Sequence, residues 1–209
     1  MTEPLTTDQE STPHKGLTPA EVGRKGYHLL GLLIPLIYLY SDVPRLIALI
    51  VVAGLWIVAA VFDVVRLNVP SFNEFALRFA RGLIRQEEKR ALNGMVFYML
   101  AAFLVILFWE RWVAALSLIV LVVGDSFAAL VGLAWGRHKI WGGKSLEGSL
   151  ACLCSVFLIC LLFIPPDRAL AVAIITTLVE SLPTVAIIND NFFIPLASSA
   201  ALVLTYQLW

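Results

Sequence analysis

Charged side chains are scarce in this chain of 209 residues: Asp, Glu, Lys and Arg make up 14% of it, against about 25% in soluble domains. The 15 basic and 15 acidic residues cancel, which excludes a nucleic-acid binder with a basic surface. The three cysteines all fall in one apolar run, which excludes a disulfide framework. The chain starts with acidic residues instead of a basic stretch, so we expect no signal peptide and a disordered tail over residues 1–16.

Apolar residues are abundant, at 60% of the chain. They form seven segments that are long enough, alone or with flanking residues, to be membrane helices of about 20 residues. We therefore predict an all-α polytopic membrane bundle of about seven transmembrane helices, in one membrane-embedded domain over residues 17–209. Thr18 and Glu21 form a capping box around Pro19, so the first helix is expected to begin before the membrane. The predicted spans cover residues 29–40, 46–65, 92–109, 112–135, 150–164, 169–188 and 192–208.

Basic residues are divided unevenly between two sets of loops. Twelve of the 15 lie in the N-terminal segment, in the loop after the second span and in the loop after the fourth span. Arg45, Arg111 and Arg168 stand singly in the turns of the opposite side. Because cytoplasmic loops carry the excess of Lys and Arg, we predict a cytoplasmic N-terminus. The expected location is the inner membrane of a bacterium, or an ER-type membrane in a eukaryote.

The loop between the second and third spans contains a predicted helix of its own, over about residues 71–90. Ser71 and Glu74 form a second capping box. Apolar residues then recur at spacings of three and four, which is typical of a helix lying in the membrane interface. This helix is either a simple anchor or a gate over an entry path for lipid. Its apolar side consists of Phe72, Phe75, Ala76, Phe79, Ala80 and Leu83.

Two carboxylates, Asp125 and Glu180, fall inside predicted spans, where an ionisable group is costly and indicates a functional site. If both helices are regular, each acid lies roughly 12–15 Å below the cytoplasmic face. Asp63 and Asp190 are nearer the rim, and such oxygen ligands suit Mg²⁺ completed by substrate phosphates. The alternative is that acids pair with bases for structure. Asp63 and Arg66 are spaced to do so, whereas Asp125 has no basic residue within ten positions.

The predicted cytoplasmic loop over residues 136–149 combines glycines with three cations. Glycines let a backbone approach a ligand closely, and cations favour phosphate. Gly143-Lys144-Ser145 is similar to part of a P-loop, but His138 stands where that motif requires glycine and no strand precedes it, so a P-loop is excluded. A basic turn that binds no ligand is the alternative. The three cations are Arg137, Lys139 and Lys144.

The first helix adds cations at its interfacial end. Arg24, His28 and Gly31 fall on one face at spacings of four and three, with Lys25 beside them. His28 with two cations within one turn predicts a phosphate contact. The alternative is that Arg24 and Lys25 only extend towards the membrane surface.

Taken together, these motifs resemble those of the membrane-embedded CTP-dependent lipid kinases, which include dolichol kinase, phytol kinase and the diacylglycerol kinase that uses CTP. The resemblance extends from Gly23 to Leu196 and depends on the order and spacing of short motifs. These are Arg24-Lys25-x-x-His28-x-x-Gly31, Asp63-x-x-Arg66, Gly124-Asp125, Gly136-Arg137-His138-Lys139, Lys144-Ser145-Leu146-Glu147-Gly148-Ser149, Glu180 and Asp190-Asn191. The related CDP-diacylglycerol synthases share part of this pattern, but the chain lacks their His-Gly-Gly and Asp-Arg-x-Asp signature.

The resemblance implies a catalytic domain that transfers the γ-phosphoryl group of CTP to the hydroxyl of a membrane lipid alcohol, with CTP as co-substrate and Mg²⁺ as cofactor. The implied metal ligands are Asp125, Asp190 and Glu180. Glu180 or Asp63 would orient or deprotonate the lipid hydroxyl, and His28 is a further catalytic candidate. The implied phosphate-binding and nucleotide-binding residues are Arg24, Lys25, Arg137, Lys139, Gly143, Lys144, Ser145 and Glu147.

Other functions stay open from the sequence. A cytidylyltransferase of the CDP-diacylglycerol synthase type would use the same nucleotide. A small membrane transporter would also have mid-membrane acids, although the two halves of the chain show no convincing repeat. The expected partners are the lipid alcohol, CTP and the bilayer, with no nucleic acid. The Gly132-x-x-x-Gly136 pattern permits close helix packing between copies, but we expect it to be used within one chain.

Overall fold

A computed structural model describes residues 19–79, 91–183 and 189–207. Within these ranges the chain forms helices and no strand beyond one isolated bridge between Lys139 and Ser145, which confirms the prediction of an all-helical protein. The predicted tail lies outside the described residues. The helices are α1 (Pro19–Leu29), α2 (Leu33–Tyr40), α3 (Arg45–Asn68), α4 (Pro70–Phe79), α5 (Gly94–Phe108), α6 (Arg111–Trp135), α7 (Leu146–Cys160), α8 (Pro166–Glu180) and α9 (Asp190–Gln207), with 3₁₀ turns at Leu30–Leu32 and Trp141–Gly143.

Helix α1 is described from Pro19, the first described residue, and its predicted cap, Thr18, lies outside the described residues, so the predicted start of this helix stays a prediction. The 3₁₀ turn leads directly into α2. Gly31 lies in this turn, where a Cβ would come within 3.3 Å of Val122 Cγ2 on α6. Its carbonyl also accepts a hydrogen bond of 2.7 Å from the Tyr98 hydroxyl. The glycine therefore lets the first helical segment lie directly on α6.

Helix α6 is the centre of the bundle, with α1, α2, α7 and α9 packed around it. It runs unbroken through Asp125, which lies on a regular helix ten residues before Trp135. Gly124 allows the close approach of α7, because a Cβ there would come within 2.9 Å of Val156 Cγ2. Asp125 is therefore held at a tight contact between two helices.

Helix α3 lies at the outside of the bundle. Only 17% of its most apolar window is buried, against 72% for α6. At 24 and 25 residues, both helices are long and apolar enough to cross a membrane, whereas α5 and α7 are apolar but shorter. Large aliphatic side chains such as Ile50, Val58 and Val61 line the outer surface of α3. Such a continuous apolar surface is typical of a membrane protein.

The helix connections gather at two ends of the bundle. At the first end, Arg111 donates hydrogen bonds to the carbonyls of Ser41 and Val43, the latter at 2.6 Å. Arg45 Nε donates to the carbonyl of Ile106 at 2.7 Å. These bonds join the α2–α3 turn to the α5–α6 turn. We call this end, with Arg45 and Arg111, the arginine end.

The opposite end is formed where the α6–α7 connection meets the chain between α8 and α9. Trp141 Nε1 donates to the carbonyl of Ser181 at 2.7 Å, and Lys144 Nζ lies 2.9 Å from Asp190 Oδ2. We call this end the hairpin end, after the hairpin that residues 136–147 form there. The α6–α7 and α8–α9 connections, which the sequence predicts on the same side of a membrane, thus meet at one end of the bundle.

Helix α8 is shorter than predicted. The expected span reached residue 188, but the helix ends at Glu180. The Ser181 hydroxyl bonds back to the backbone of its own helix, and Pro183 follows, which is a typical sequence at a helix end. The regular helix on which the predicted depth of Glu180 depended does not continue, because Glu180 is the last residue of α8. Its depth in a membrane stays a prediction.

Helix α4 matches the first half of the predicted interfacial helix, and residues 80–90 lie outside the described residues. Its Phe72 ring packs edge-on against Phe62 of α3, with 5.4 Å between centroids. Ala76 is buried, whereas Phe75 is 63% exposed. Part of the apolar side of α4 therefore packs on the bundle and part of it is exposed. The role of this helix as an anchor or a gate stays a prediction.

Candidate functional site

Asp125 is the centre of a first group of charges, the Asp125 cluster, which also contains Lys25 and His28. Lys25 Nζ lies 2.6 Å from Asp125 Oδ2 and 3.2 Å from the carbonyl oxygen of the same residue. His28 Nε2 lies 3.3 Å from Asp125 Oδ2. Lys25 and Asp125 are both buried, so each ion offsets the large cost of burying the other.

No pattern in the sequence indicated the partner of Asp125. The helical spacing predicted Arg24, His28 and Gly31 on the functional face of the first helix, with Lys25 beside them. In the structure Lys25 and His28, three residues apart, face α6, and Arg24 is partly exposed. Lys25 is 100 positions from Asp125 in the sequence. Asp125 therefore has a basic partner, although no basic residue lies near it in the sequence.

A second group of charges, the Lys144 cluster, contains Lys144, Glu180 and Asp190. Lys144 Nζ lies 3.2 Å from Glu180 Oε1 and 2.9 Å from Asp190 Oδ2, and it also donates to the Glu180 carbonyl. Burial by itself would lower the pKa of Lys144, but the charges of Asp190 and Glu180 outweigh burial and raise this pKa above its ordinary value. Lys144 therefore stays charged and binds both acids.

Two serines complete the surroundings of Glu180. Ser149 Oγ lies 2.9 Å from Ser181 Oγ and 3.5 Å from Glu180 Oε2. Ser149 was part of a motif in the sequence, but no spacing indicated that it would meet Ser181, which lies beyond the end of α8. This contact depends on the early end of that helix.

The two clusters are neighbours. The Sγ of Cys152 on α7 lies 3.2 Å from the position of a Cβ at Gly124, the residue before Asp125. Ser149, three residues before Cys152 and on the same face of α7, lies 3.5 Å from Glu180 Oε2. Cys152 is a free buried thiol, and Cys154 and Cys160 are free as well. The predicted acids Asp125, Glu180 and Asp190 are thus gathered in one region.

The hairpin owes its shape to two glycines at its tip. Gly142 and Gly143 have φ values of +67° and +77°, a left-handed conformation that side chains disfavour. The two sides of the hairpin are joined by bonds of 2.9 Å from Ile140 N to the Lys144 carbonyl and from Leu146 N to the His138 carbonyl. The tight turn therefore fixes the position of Lys144 against α8.

The base of the hairpin is braced by His138 and Glu147, with 2.7 Å between His138 Nδ1 and Glu147 Oε1. Ser145 is buried, and its hydroxyl caps α7 by accepting a bond of 3.2 Å from Gly148 N. A Cβ at Gly136 would come within 2.6 Å of Ser145 Oγ. This glycine is thus used for packing within the chain, as expected. The phosphate-binding roles of Glu147 and Ser145 stay predictions.

Asp63 has a different environment from the other acids. Its Oδ1 lies 2.9 Å from Arg66 Nε, and its Oδ2 accepts a bond from Asn93 N. Arg66 Nη2 donates to the carbonyl of Ala91 at 2.9 Å. Asp63 and Arg66 are both buried. The structural ion pair between Asp63 and Arg66, which the sequence spacing allowed as the alternative to a functional acid, is therefore present. It connects α3 to the start of α5.

Two exposed cations, Arg137 and Lys139, belong to the hairpin itself, and Arg24 on α1 is partly exposed. All three are accessible to a soluble anion. Within the described ranges, no group of three or more His, Cys, Asp or Glu side chains is arranged to hold a metal ion by itself. The Lys144 cluster instead brings two carboxylates to a single cation.

Comparisons with known proteins link this arrangement to enzymes of lipid metabolism. No known family model matches the chain, and neither does any solved structure. An uncharacterized protein of Rickettsia prowazekii is 30% identical over 187 residues, which are 85% of this chain and 90% of that protein.

Several further relatives have names that state an activity. The CTP-dependent diacylglycerol kinase 1 of Schizosaccharomyces pombe is 40% identical over 98 residues, 46% of this chain and 45% of that protein. The protein of the same name from Eremothecium gossypii is 31% identical over 150 residues, 70% of this chain and 47% of that protein. Phytol kinases and a dolichol kinase are also similar. The chain spans about half the length of these two diacylglycerol kinases.

Proposed function

Because the chain belongs to the family of the CTP-dependent lipid kinases, we propose that it transfers the γ-phosphoryl group of CTP to the hydroxyl of a membrane lipid alcohol. The Lys144 cluster carries this proposal, since two carboxylates converge there on one cation beside a glycine-rich hairpin. Phosphoryl transfer requires positioned charge more than covalent chemistry, and the cluster supplies both signs of charge at one point. The acceptor is diacylglycerol, a polyprenol or dolichol, or a phytol-like alcohol.

In the proposed arrangement the chain crosses the membrane seven times. The spans are the joined α1–α2 segment, α3, α5, α6, α7, α8 and α9, with α4 in the interface and the hairpin end in the cytoplasm. The excess of basic residues in the loops of that end supports this orientation. CTP, which is soluble, would reach the hairpin from the cytoplasm, and the lipid alcohol would arrive from the plane of the bilayer.

The Lys144 cluster also fits a divalent cation. The oxygens of Glu180 and Asp190 lie 3.2 and 2.9 Å from the same ammonium nitrogen, so they already converge on one positive charge. Mg²⁺ is commonly held by one or two carboxylates together with substrate phosphates. Glu180 and Asp190, with Asp125 from the neighbouring cluster, are the residues proposed to hold it. When bound, Mg²⁺ would neutralise charge on the phosphates.

The proposed reaction depends on an exchange of partners at Lys144. Phosphate oxygens compete with the carboxylates for its ammonium group, and Arg24 and Lys139 add positive charge around the triphosphate. The oxygen of the lipid hydroxyl attacks the γ-phosphorus, the bond to the leaving CDP breaks, and Glu180 accepts the hydroxyl proton. Glu180 is preferred to Asp63 for this step because both oxygens of Asp63 are bonded, one to Arg66 and the other to Asn93 N. Glu180 is instead paired with Lys144, the cation that is proposed to move to the phosphates.

An isotope experiment tests the proposal. The full chain is purified in detergent and incubated with Mg²⁺, CTP labelled at either the α- or the γ-phosphorus, and a panel of acceptors. The panel contains lipid alcohols, which a kinase uses, and phosphatidic acid, a lipid phosphate that a cytidylyltransferase uses. A kinase transfers only the γ-label to lipid and releases CDP. A cytidylyltransferase instead transfers the α-label and releases pyrophosphate.

Transfer of the γ-label to one class of alcohol is the expected result, and it also identifies the acceptor. Transfer of the α-label contradicts the proposal in favour of nucleotidyl transfer. No labelled lipid with any alcohol or with phosphatidic acid, from protein that elutes as a single folded species, contradicts both enzymatic functions and favours a transporter. ATP in place of CTP measures the choice of nucleotide.

A further inference from the structure

An exposed aromatic ring stands next to the proposed phosphate site. Trp141 begins the turn at the tip of the hairpin, three residues before Lys144, and is 66% exposed. A nucleotide whose phosphates contact Lys144 must also place its base nearby. The charges and hydrogen bonds described above account for the phosphates, but none of them provides a contact for a base.

The ring is held firmly although it is exposed. Trp141 Nε1 donates to the carbonyl of Ser181 at 2.7 Å. The adjacent Gly142 packs directly on the chain after α8, since a Cβ there would come within 2.9 Å of Pro183 Cα. Lys144 Nζ donates to the neighbouring carbonyl, that of Glu180, so the ring and the cation are bound to consecutive residues at the end of α8. An aromatic surface ordered in advance binds a planar ligand without the cost of ordering it.

The contacts of Trp141 differ from those of a membrane anchor. A tryptophan at a membrane interface places its ring in the apolar region and directs its N–H to polar groups at the boundary with water. The N–H of Trp141 is already bonded to the protein, so the faces of its ring are what remains for a ligand. Trp135, the last residue of α6, is also 66% exposed and provides a natural comparison within the chain.

We propose that Trp141 is the base-stacking platform of the nucleotide site, so that the cytosine of CTP lies against its ring while Lys144 and the neighbouring cations hold the phosphates. This inference rests on the proposed function, which it deepens. Stacking on an aromatic ring accepts any base, because every base has a π-face. Trp141 therefore contributes affinity for the nucleotide without selecting cytosine over adenine.

The test measures binding without chemistry. Labelled CTP is titrated into the full chain in detergent, for the wild type, Trp141→Leu, Trp141→Phe and the matched control Trp135→Leu. Unlabelled CMP, which has a base and one phosphate, and inorganic tripolyphosphate, which has no base, are used as competitors. Trp141→Leu should weaken the binding of CTP and CMP by roughly 5-fold to 100-fold, the usual effect of losing one stacking ring. Competition by tripolyphosphate should not change.

Trp141→Phe should keep most of the affinity because it retains an aromatic face, and Trp135→Leu should bind as the wild type does. Equal weakening of CMP and tripolyphosphate in Trp141→Leu overturns the inference, because the ring would then only shape the phosphate site. Unchanged CTP binding in Trp141→Leu, or equal weakening in Trp135→Leu, overturns it as well.

A wild type that binds CTP but phosphorylates no lipid refutes the proposed function, and the comparison of variants still decides the role of Trp141. A wild type that binds no CTP refutes both.

Discussion

The two ends of the bundle use cations in different ways. At the arginine end, Arg45 and Arg111 donate to backbone carbonyls of other helix ends. At the hairpin end, Lys25 and Lys144 pair with carboxylates. A carbonyl at a helix end lacks a partner within its own helix and needs a donor from elsewhere, whereas a carboxylate can bind a lysine, a metal ion or a protein N–H in turn. The first arrangement is suited to holding helices together, and the second to exchanging one charged partner for another.

The residue types agree with this difference. A guanidinium is a planar group with five donors, and Arg111 uses it to reach the carbonyls of Tyr38, Ser41 and Val43. Its charge also lies over the Tyr38 ring, 5.0 Å from the centroid. The ammonium of Lys144 is compact and moves on a flexible stem, which suits a group that changes partners.

The strongest test of this comparison is Asp125→Asn at the hairpin end. The amide keeps the shape of the side chain but removes the charge that Lys25 neutralises. We expect lipid phosphorylation to fall by at least about 100-fold, which is typical of removing one charged group from a catalytic site. Initial rates and elution in detergent are measured together, with Asp42→Asn, an exposed acid at the arginine end, as the control. Turnover retained in Asp125→Asn refutes the assignment of this residue.

Lys144→Met tests whether the partners at the hairpin end are exchangeable. Removing the ammonium leaves Glu180 and Asp190 facing one another, which lowers the unfolding temperature through like-charge repulsion. Mg²⁺ should then raise the unfolding temperature of the variant more than that of the wild type, because it replaces the lost cation. Thermal unfolding is followed with and without Mg²⁺, and Lys139→Met, which removes an exposed lysine, is the control. Equal effects of Mg²⁺ on all three proteins contradict the proposed cation site.

Arg111→Met should have the smallest effect on activity and a clear effect on stability. It removes hydrogen bonds from one charged donor to several carbonyls, at a cost of about 2 kcal/mol in the free energy of unfolding. Denaturant unfolding measures this loss, and the rate per folded molecule should match that of the wild type. Arg137→Met, at an exposed arginine of the hairpin, serves as the control for stability. A loss of activity as large as that of Asp125→Asn would remove the distinction between the two ends.

The helices were largely predictable, because long apolar runs and local end motifs determine them. The predicted second and fourth spans lie within α3 and α6 and miss their ends by at most three residues. The error in α8 arose because the apolar residues continue past Pro183, so hydropathy extended a helix that Ser181 and this proline end. Hydropathy locates a membrane helix, but the backbone preferences of individual residues decide where it stops.

The contacts of the site were predictable only in part. The types of residue were recognised correctly as a set of acids, basic residues and glycines. Their pairing was not, because Lys25 and Asp125 are brought together by the packing of α1 on α6, which no local spacing encodes. The bonds of Lys144 to Asp190 and of Trp141 to Ser181 likewise depend on where α8 ends.

The position of α3 at the edge of the bundle has a consequence for how the sequence can vary. One narrow side of this helix carries its buried residues, Ala48, Val52, Asp63 and Arg66. Elsewhere on α3, one aliphatic side chain can replace another with little steric consequence, whereas α6 has neighbours on nearly every side and tolerates few changes of volume. Neutral substitutions should therefore accumulate on α3 and be nearly absent from α6, although the two helices have similar hydropathy.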